Sequence, residues 1–329
     1  MNILALSSGL ESFRLVEPLN RARATGPARI EVWWEHELGG HQRDRVRGYV
    51  PGSHTLSPAD IAALKSSYPN LSFLSAPMTG INGIDLPGRP TCTKLGIDVL
   101  RVEDYCSAEV AEHAAMLALA VRHRLVQTAL QIERQEWKRI PTTQISEAVI
   151  GIVGLGRIGM KSAARWRAEG HRVIGWSRSP KPAFSALGGE QRPLSYLMEN
   201  ADIILLHLPL AEGDSPTLNL IDKSMIARMR PSALLVNVAR AGIVDREALA
   251  NAIRSRAIFG AGIDVFEHEP PFTERTPCSR LLDLDPHEFN LVLTDHGAFN
   301  KTGPLERLAQ KVIENARAWV DQHDRASGV

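Results

Sequence analysis

Over the first hundred residues, short apolar runs recur between polar stretches: Ile3 to Leu6, Ile30 to Trp33, Leu71 to Ala76 and Val99 to Val102. Runs of that length predict strands, and Pro58 to Leu64 between them predicts a helix, so this part reads as a small α/β unit. After Ser107, an expected helix N-cap, the period changes. Val110, Ala114, Leu117, Val121 and Leu125 recur at i, i+4, i+7, i+11 and i+15, which predicts one long helix with a single apolar stripe. Ala111, Ala115 and Ala118 would admit another helix closely, either in a core or from a second copy of the chain. From Val149 to about Thr294, apolar runs alternate with helical patterns, as a parallel sheet with crossover helices requires. The runs are Val149 to Val153, Arg172 to Trp176, Asp202 to Leu206, Ala233 to Val238, Phe259 to Ile263 and Leu291 to Thr294. A last helix places Leu305, Leu308, Ala309, Val312, Ile313, Ala316, Trp319 and Val320 on one face, suited to packing back on the first unit.

A length of 329 residues favours two domains. Lys plus Arg total 38 and Asp plus Glu 37, a net charge of +1, so no overall basic field exists to hold nucleic acid or an anionic membrane. Hydrophobic residues at 44% and charged residues at 23% are ordinary for a globular chain. No apolar run approaches the ~20 residues that span a bilayer. Even Ala114 to Val121 is bounded by His113 and Arg122. The opening Met1 to Leu6 has no basic leader and no extended apolar core, and reads as a strand, not a signal peptide. Cys92, Cys106 and Cys278 are too scattered for a disulfide framework or a zinc site. A cytoplasmic protein without a metal is the expectation.

The most specific motif is Gly154-Leu155-Gly156-Arg157-Ile158-Gly159, which follows the run Val149 to Val153 and opens a helical segment through Ala168. In that setting the first glycine permits a tight turn, the second lets backbone N–H groups approach a pyrophosphate, and the third brings helix and strand close. A dinucleotide is implied. The next strand ends in Ser177-Arg178-Ser179, where an NAD-binding fold usually carries an acidic residue against the ribose hydroxyls. A serine beside a guanidinium can bind a 2′-phosphate that a carboxylate would repel, so NADP(H) is the expected cofactor. NAD(H) is accepted too if Arg178 is merely solvated.

Ligands of open parallel sheets bind beyond the carboxyl ends of the strands. At those ends stand His207-Leu208-Pro209, Arg240, Asp264, Glu269 shortly after it, and His296. Reducing a carbonyl with a nicotinamide needs a proton donor and a cation that holds and polarises the substrate. His296 suits the first role, with Glu269 the nearest carboxylate to fix its tautomer. Arg240 suits the second, because its planar fork can grip the carboxylate and carbonyl of a 2-oxo acid.

The motifs Gly154 to Gly159, His207-Leu-Pro-Leu210, Met229 to Arg240, Gly262 to Pro270 and Leu293-Thr-Asp-His296 together resemble the D-isomer-specific 2-hydroxyacid dehydrogenases, among them the glyoxylate and hydroxypyruvate reductases. The resemblance implies an α/β protein with a Rossmann-type dinucleotide-binding domain over 107–297. It also implies a smaller flavodoxin-like substrate domain built from 1–106 and 298–329. Arg240, Glu269 and His296 would be the catalytic residues. The 154–159 loop, Ser177-Arg178-Ser179 and His207-Leu208-Pro209 would line the dinucleotide, and Asp264 with the backbone at Val238 and Ala239 would orient the nicotinamide amide. Backbone N–H groups of the loop Ala76 to Gly80, chiefly Met78, Thr79 and Gly80, would hold the substrate carboxylate. A homodimer around the helix from Ser107 is also implied.

This chain departs from the family pattern around the substrate. Pro77-Met78-Thr79 stands in place of a glycine-rich loop, Ala241 and Asp295 replace a common glycine and proline, and Gly297-Ala-Phe-Asn300 is unfamiliar. Asp295 either lies near His296 or faces solvent, and Lys301 either meets a further anionic group or is a solvated charge. Other functions on the same fold are a dinucleotide-sensing binding protein of corepressor type, or oxidation of phosphoglycerate, formate or phosphite.

Overall fold

The computed structural model describes residues 2–13, 15–23, 30–52, 56–77, 89–142, 144–211, 216–267, 269 and 279–326. They divide into two compact units, 1–105 with 300–329 and 106–299.

In the first unit the apolar runs become parallel strands, buried most completely at β1, β3 and β4 and least at the edge strand β5. They are β1 (Asn2–Leu6), β2 (Ile30–Trp34), β3 (Val46–Val50), β4 (Phe73–Ala76) and β5 (Asp98–Arg101), in the order β2-β1-β3-β4-β5. That is the flavodoxin-like order. No strand is predicted over Val46–Val50, because Arg47 and Gly48 interrupt its apolar pattern, yet β3 lies inside the sheet and pairs with β1 and β4. Helices α1 (Val16–Arg23), α2 (Pro58–Ser67) and α3 (Arg89–Lys94) belong to this unit. A capping box starts α2: Asp60 N–H donates to Ser57 Oγ at 3.2 Å, and the Ser57 N–H donates to Asp60 Oδ2 at 2.8 Å. The helix Thr302–Ala326 buries Leu305, Leu308, Ala309, Val312, Ile313, Ala316, Trp319 and Val320, and Ser75 Oγ donates to its Val312 carbonyl at 3.1 Å.

The second unit opens with α4 (Ser107–Arg122) and α5 (Leu125–Glu133). Two expectations are corrected here. Ser107 is the first helical residue, Cys106 occupies the cap position, and no side chain caps the helix. The single long helix is two, because Arg124 adopts a left-handed φ of 51° that ends α4. Leu125 consequently leaves the buried stripe and is 59% exposed.

Beyond α5, seven parallel strands form one sheet in the order β12-β11-β10-β9-β6-β7-β8. Their ranges are β6 (Ile150–Val153), β7 (Val173–Trp176), β8 (Glu190–Gln191), β9 (Ile203–Leu206), β10 (Leu234–Asn237), β11 (Gly260–Ile263) and β12 (Leu291–Leu293). Counted from β6, the order is the doubly wound 3-2-1-4-5-6 pattern with one strand added. Helices α6 (Arg157–Ala168), α7 (Pro182–Ala186), α8 (Leu194–Asn200), α9 (Lys223–Ile226), α10 (Arg246–Arg254) and α11 (Ser279–Leu282) complete the unit. β6, β9, β10 and β11 are buried at every position, and each fully buried aliphatic side chain contributes about 1.5–3 kcal/mol. The strand order reverses between β6 and β9, so Gly154 and His207, which follow them, flank the switch point where such sheets bind ligands. Among the described residues no helix is long and apolar enough to cross a membrane, and no cluster could hold a metal ion.

Candidate active site

Two glycines make the turn after β6. Gly154 has φ +103°, and a Cβ there would stand 2.5 Å from the His207 carbonyl oxygen. A Cβ on Gly159 would stand 1.9 Å from the Gly154 carbonyl oxygen, so helix and turn meet only because that position is bare. Gly156 differs: it caps α6 in an extended conformation, is exposed, and has no atom within 4 Å of an added Cβ. Leu155 is buried, Ile158 half-buried and Arg157 exposed. An open approach to the N-terminus of a twelve-residue helix fits a pyrophosphate. Across the switch point His207 is buried, with Nε2 2.9 Å from Ser162 Oγ. Burial pushes its pKa down to about 3, so the ring is neutral. Its Nδ1 has no partner among the described residues. Leu208 is half-buried and Pro209 exposed.

The loop after β7 is held by a residue the sequence did not suggest. Gln191 on β8 donates from Nε2 to Ser177 Oγ at 3.1 Å and to the Ser179 carbonyl at 3.0 Å, while its Oε1 accepts the Lys181 N–H at 3.0 Å. Ser177 Oγ itself donates to the Ser179 carbonyl at 2.8 Å. Its proton is therefore committed within the loop, which leaves the exposed Arg178 and Lys181 as the loop's charged donors.

Arg240, half-buried, follows β10, and its turn is fastened by Asn237. Asn237 Nδ2 donates to the Arg240 carbonyl at 2.9 Å, and its Oδ1 accepts the Ala239 N–H at 3.0 Å. The Asn237 carbonyl accepts the Asp264 N–H at 3.0 Å, joining this turn to the next. Val238 and Ala239 are buried. Asp264 is fully buried, and its carboxylate accepts hydrogen bonds from the turn that follows β12. Oδ1 accepts from Thr294 Oγ1 at 2.6 Å and Gly297 N–H at 3.0 Å, and Oδ2 accepts from Ala298 N–H at 3.3 Å. Nε2 of His113, on α4, lies 3.2 Å from Oδ1. Burial works to raise the Asp264 pKa, but the hydrogen bonds from His113 and Thr294 and the nearby imidazoles outweigh it and hold the carboxyl below its ordinary value.

His296 sits on that turn with φ +55°, a left-handed conformation that costs about 1–2 kcal/mol in a residue with a Cβ. Its Nδ1 is 2.6 Å from Oε2 of Glu269, whose Oε1 accepts the Phe266 N–H at 2.8 Å. With Nδ1–H committed to the carboxylate, Nε2 is the ring position left to exchange a proton. The Phe299 ring meets the imidazole edge-on at 5.8 Å. Asp295 is exposed and Lys301 half-buried. The structure thus brings Arg240, Asp264, Glu269 and His296 onto one edge of the sheet, with the glycine loop and His207. Met78, Thr79 and Gly80 lie outside the described residues, as does Cys278. Cys92 and Cys106 are buried.

Two residues of this network had a legible signal. Asn237 is a polar residue closing an otherwise apolar strand, and His113 falls on the buried stripe of α4, three residues after Val110 and four before Leu117. Neither pattern named a partner.

Residues 115–298, more than half of the chain, match the family described as D-isomer specific 2-hydroxyacid dehydrogenase, NAD binding domain. The chain belongs to this family. It is 32% identical over 302 residues to a glyoxylate reductase of Thermococcus onnurineus, a match covering 88% of this chain and 86% of the relative. A glycerate dehydrogenase of Methylorubrum extorquens is 30% identical over 260 residues, covering 77% of each chain. The D-lactate dehydrogenase of Aquifex aeolicus, solved with NAD and lactic acid, superposes with a TM-score of 0.77 at 22% identity, covering 98% of this chain and 96% of that one. This D-2-hydroxyacid dehydrogenase is accordingly an oxidoreductase with an NAD-binding domain, and every loop described above between Gly154 and Ala298 falls within the matched span.

Proposed function

We propose that this dehydrogenase interconverts a small 2-oxo acid and its D-2-hydroxy acid, with His296 moving the proton, Glu269 orienting the imidazole, Arg240 gripping the substrate, and NADP(H) preferred over NAD(H). The 2.6 Å approach of His296 Nδ1 to Glu269 Oε2 carries this reading, because it presents an imidazole in one tautomer with the opposite nitrogen free. A bound dinucleotide supplies the hydride in the reducing direction. His296, protonated at Nε2, delivers its proton to the substrate oxygen as negative charge develops there, and Glu269 stabilises the imidazolium before that transfer. Arg240 binds the 2-oxo acid through charge-assisted hydrogen bonds and polarises the carbonyl. In oxidation the imidazole takes the proton back. Residues 107–297 hold the dinucleotide. Residues 1–106 and 298–329 hold the substrate, with its carboxylate on the backbone of Met78, Thr79 and Gly80 by family analogy.

Support for NADP(H) is the absence of a carboxylate in Ser177-Arg178-Ser179 and the exposure of Arg178 beside it. The relatives named as glyoxylate reductase and glycerate dehydrogenase support a small, polar acid. Met116, Leu119, Leu125, Ile132 and Trp137, on and just after α4 and α5, are 46%, 36%, 59%, 54% and 81% exposed, an apolar surface that supports a homodimer. Cys92, a free and buried thiol, accords with a cytoplasmic enzyme. The deciding experiment follows NADPH absorbance across glyoxylate, hydroxypyruvate, pyruvate and larger 2-oxo acids. Turnover of at least one small acid with NADPH favoured over NADH is expected, and no turnover on any of them overturns the reading.

A further inference from the structure

We propose that His113, on α4, is a positioning residue for the reaction, fastening the Asp264 carboxylate that holds the backbone of Gly297 and Ala298 and thereby the left-handed turn that presents His296. This rests on the reading that His296 moves the proton. The side chain of His113 is 11% exposed and that of Asp264 is fully enclosed.

The protonation of the His113 ring follows from its neighbours. Nε2 lies 3.2 Å from both Asp264 Oδ1 and Thr294 Oγ1. The carboxylate can only accept, and the Thr294 hydroxyl has already given its proton to Oδ1 at 2.6 Å. Both oxygens therefore present lone pairs to Nε2, which must carry hydrogen. With that N–H in place, Asp264 Oδ1 takes three donors, from Thr294, Gly297 and His113, while Oδ2 takes the Ala298 N–H.

The two backbone donors immediately follow His296, whose φ of +55° is one that L residues rarely keep without outside support. A carboxylate free to rotate would release those N–H groups and let the turn relax. The imidazole would then leave Glu269. The Asp264 N–H also binds the Asn237 carbonyl, and Asn237 binds the Arg240 carbonyl, so the same anchor reaches the guanidinium turn. A helix residue more than a hundred positions earlier in sequence thus sets where two reacting side chains stand. A displacement of about 1 Å in such a group can reduce turnover by about 10²-fold.

The test compares His113→Leu, His113→Gln and His296→Ala in the full chain by steady-state kinetics, NADPH fluorescence titration and thermal melting. The expected result is a kcat for His113→Leu about 10–100-fold below the parent, with the NADPH dissociation constant within about twofold. His113→Gln, which restores an N–H donor, should recover most of the lost kcat although it melts no higher than His113→Leu. A purely structural role would instead make activity follow melting temperature in both variants, and that result overturns the proposal. Parent-like kcat in His113→Leu, alongside an inactive His296→Ala, overturns the positioning role alone. Parent-like turnover in His296→Ala overturns the underlying proton-transfer reading. Should His113→Leu fail to fold, His113→Gln together with Thr294→Val decides: loss of kcat confined to Thr294→Val, at unchanged NADPH affinity, upholds the anchor, and parent-like kcat in both removes it.

Discussion

Nδ1 of His296 stands 2.6 Å from Oε2 of Glu269, and the second Glu269 oxygen is occupied by the Phe266 N–H. The carboxylate is thus oriented by backbone before it orients the imidazole. Glu269→Gln keeps the shape but removes the charge that stabilises the imidazolium, and kcat should fall by about 10–100-fold with NADPH affinity unchanged. His296→Ala should cost about 10²–10⁴-fold, the usual contribution of a general acid. Stopped assays of NADPH oxidation paired with fluorescence titration check both, and a Glu269→Gln enzyme as fast as the parent contradicts the pairing.

Cofactor choice is predicted to depend on Gln191 as well as on Ser177 and Arg178. Ser177→Asp places a carboxylate where a 2′-phosphate would lie, and should move the NADPH-to-NADH ratio of kcat/KM toward NADH by about tenfold to a hundredfold. Gln191→Ala removes the clamp on the Ser177 hydroxyl and the Ser179 carbonyl, so the KM for NADPH should rise more than that for NADH. Equal changes for both cofactors would show that the loop takes no part in discrimination.

Acid stability should carry the signature of His207. Its folded pKa is about 3 against an ordinary 6.5, because burial disfavours the charged ring. Between those values the unfolded chain binds the extra proton, so stability is complete above pH 6.5 and declines as pH falls through the window, with a slope approaching about 1.4 kcal/mol per pH unit. Asp264, held below its ordinary 3.8, adds a loss only at lower pH. Urea unfolding at several pH values should show this slope in the parent and a flatter one in His207→Gln.

The glycine that brings α6 to the β6 turn should not tolerate a methyl group. In Gly159→Ala the added atom meets the Gly154 carbonyl, a backbone group that cannot swing aside. A loss of about 1–3 kcal/mol is expected, visible as a lower denaturation midpoint. An unchanged midpoint would mean that the turn is softer than its geometry implies.

Local pattern revealed the strands of both sheets wherever apolar residues run unbroken, and it revealed the glycine loop because a turn, a phosphate approach and a close helix each demand the same residue at fixed spacing. It failed at Val46–Val50, whose place inside the sheet is decided by neighbours on β1 and β4 and not by its own composition. The pattern also ran α4 into α5, since nothing apolar or polar marks Arg124 as left-handed. Within the site, the placement of Arg240, Glu269 and His296 after strand ends was legible in the sequence. The bonds that aim them were not: Asn237 to Arg240, and Asp264 to Gly297 and Ala298, are contacts made by folding, and His113 reaches them from a separate helix.

Gly156 and Gly159 are bare for different masters. Gly159 is empty for the sake of the polypeptide, and Gly156, on the proposed function, for the sake of its guest: at 156 a methyl group would touch no protein atom within 4 Å and would sit in an ordinary extended conformation. Gly156→Ala should therefore melt like the parent when alone, and added NADPH should raise the melting temperature of the parent but not of the variant. A single carbon would then separate the chain's ability to assemble from its ability to receive.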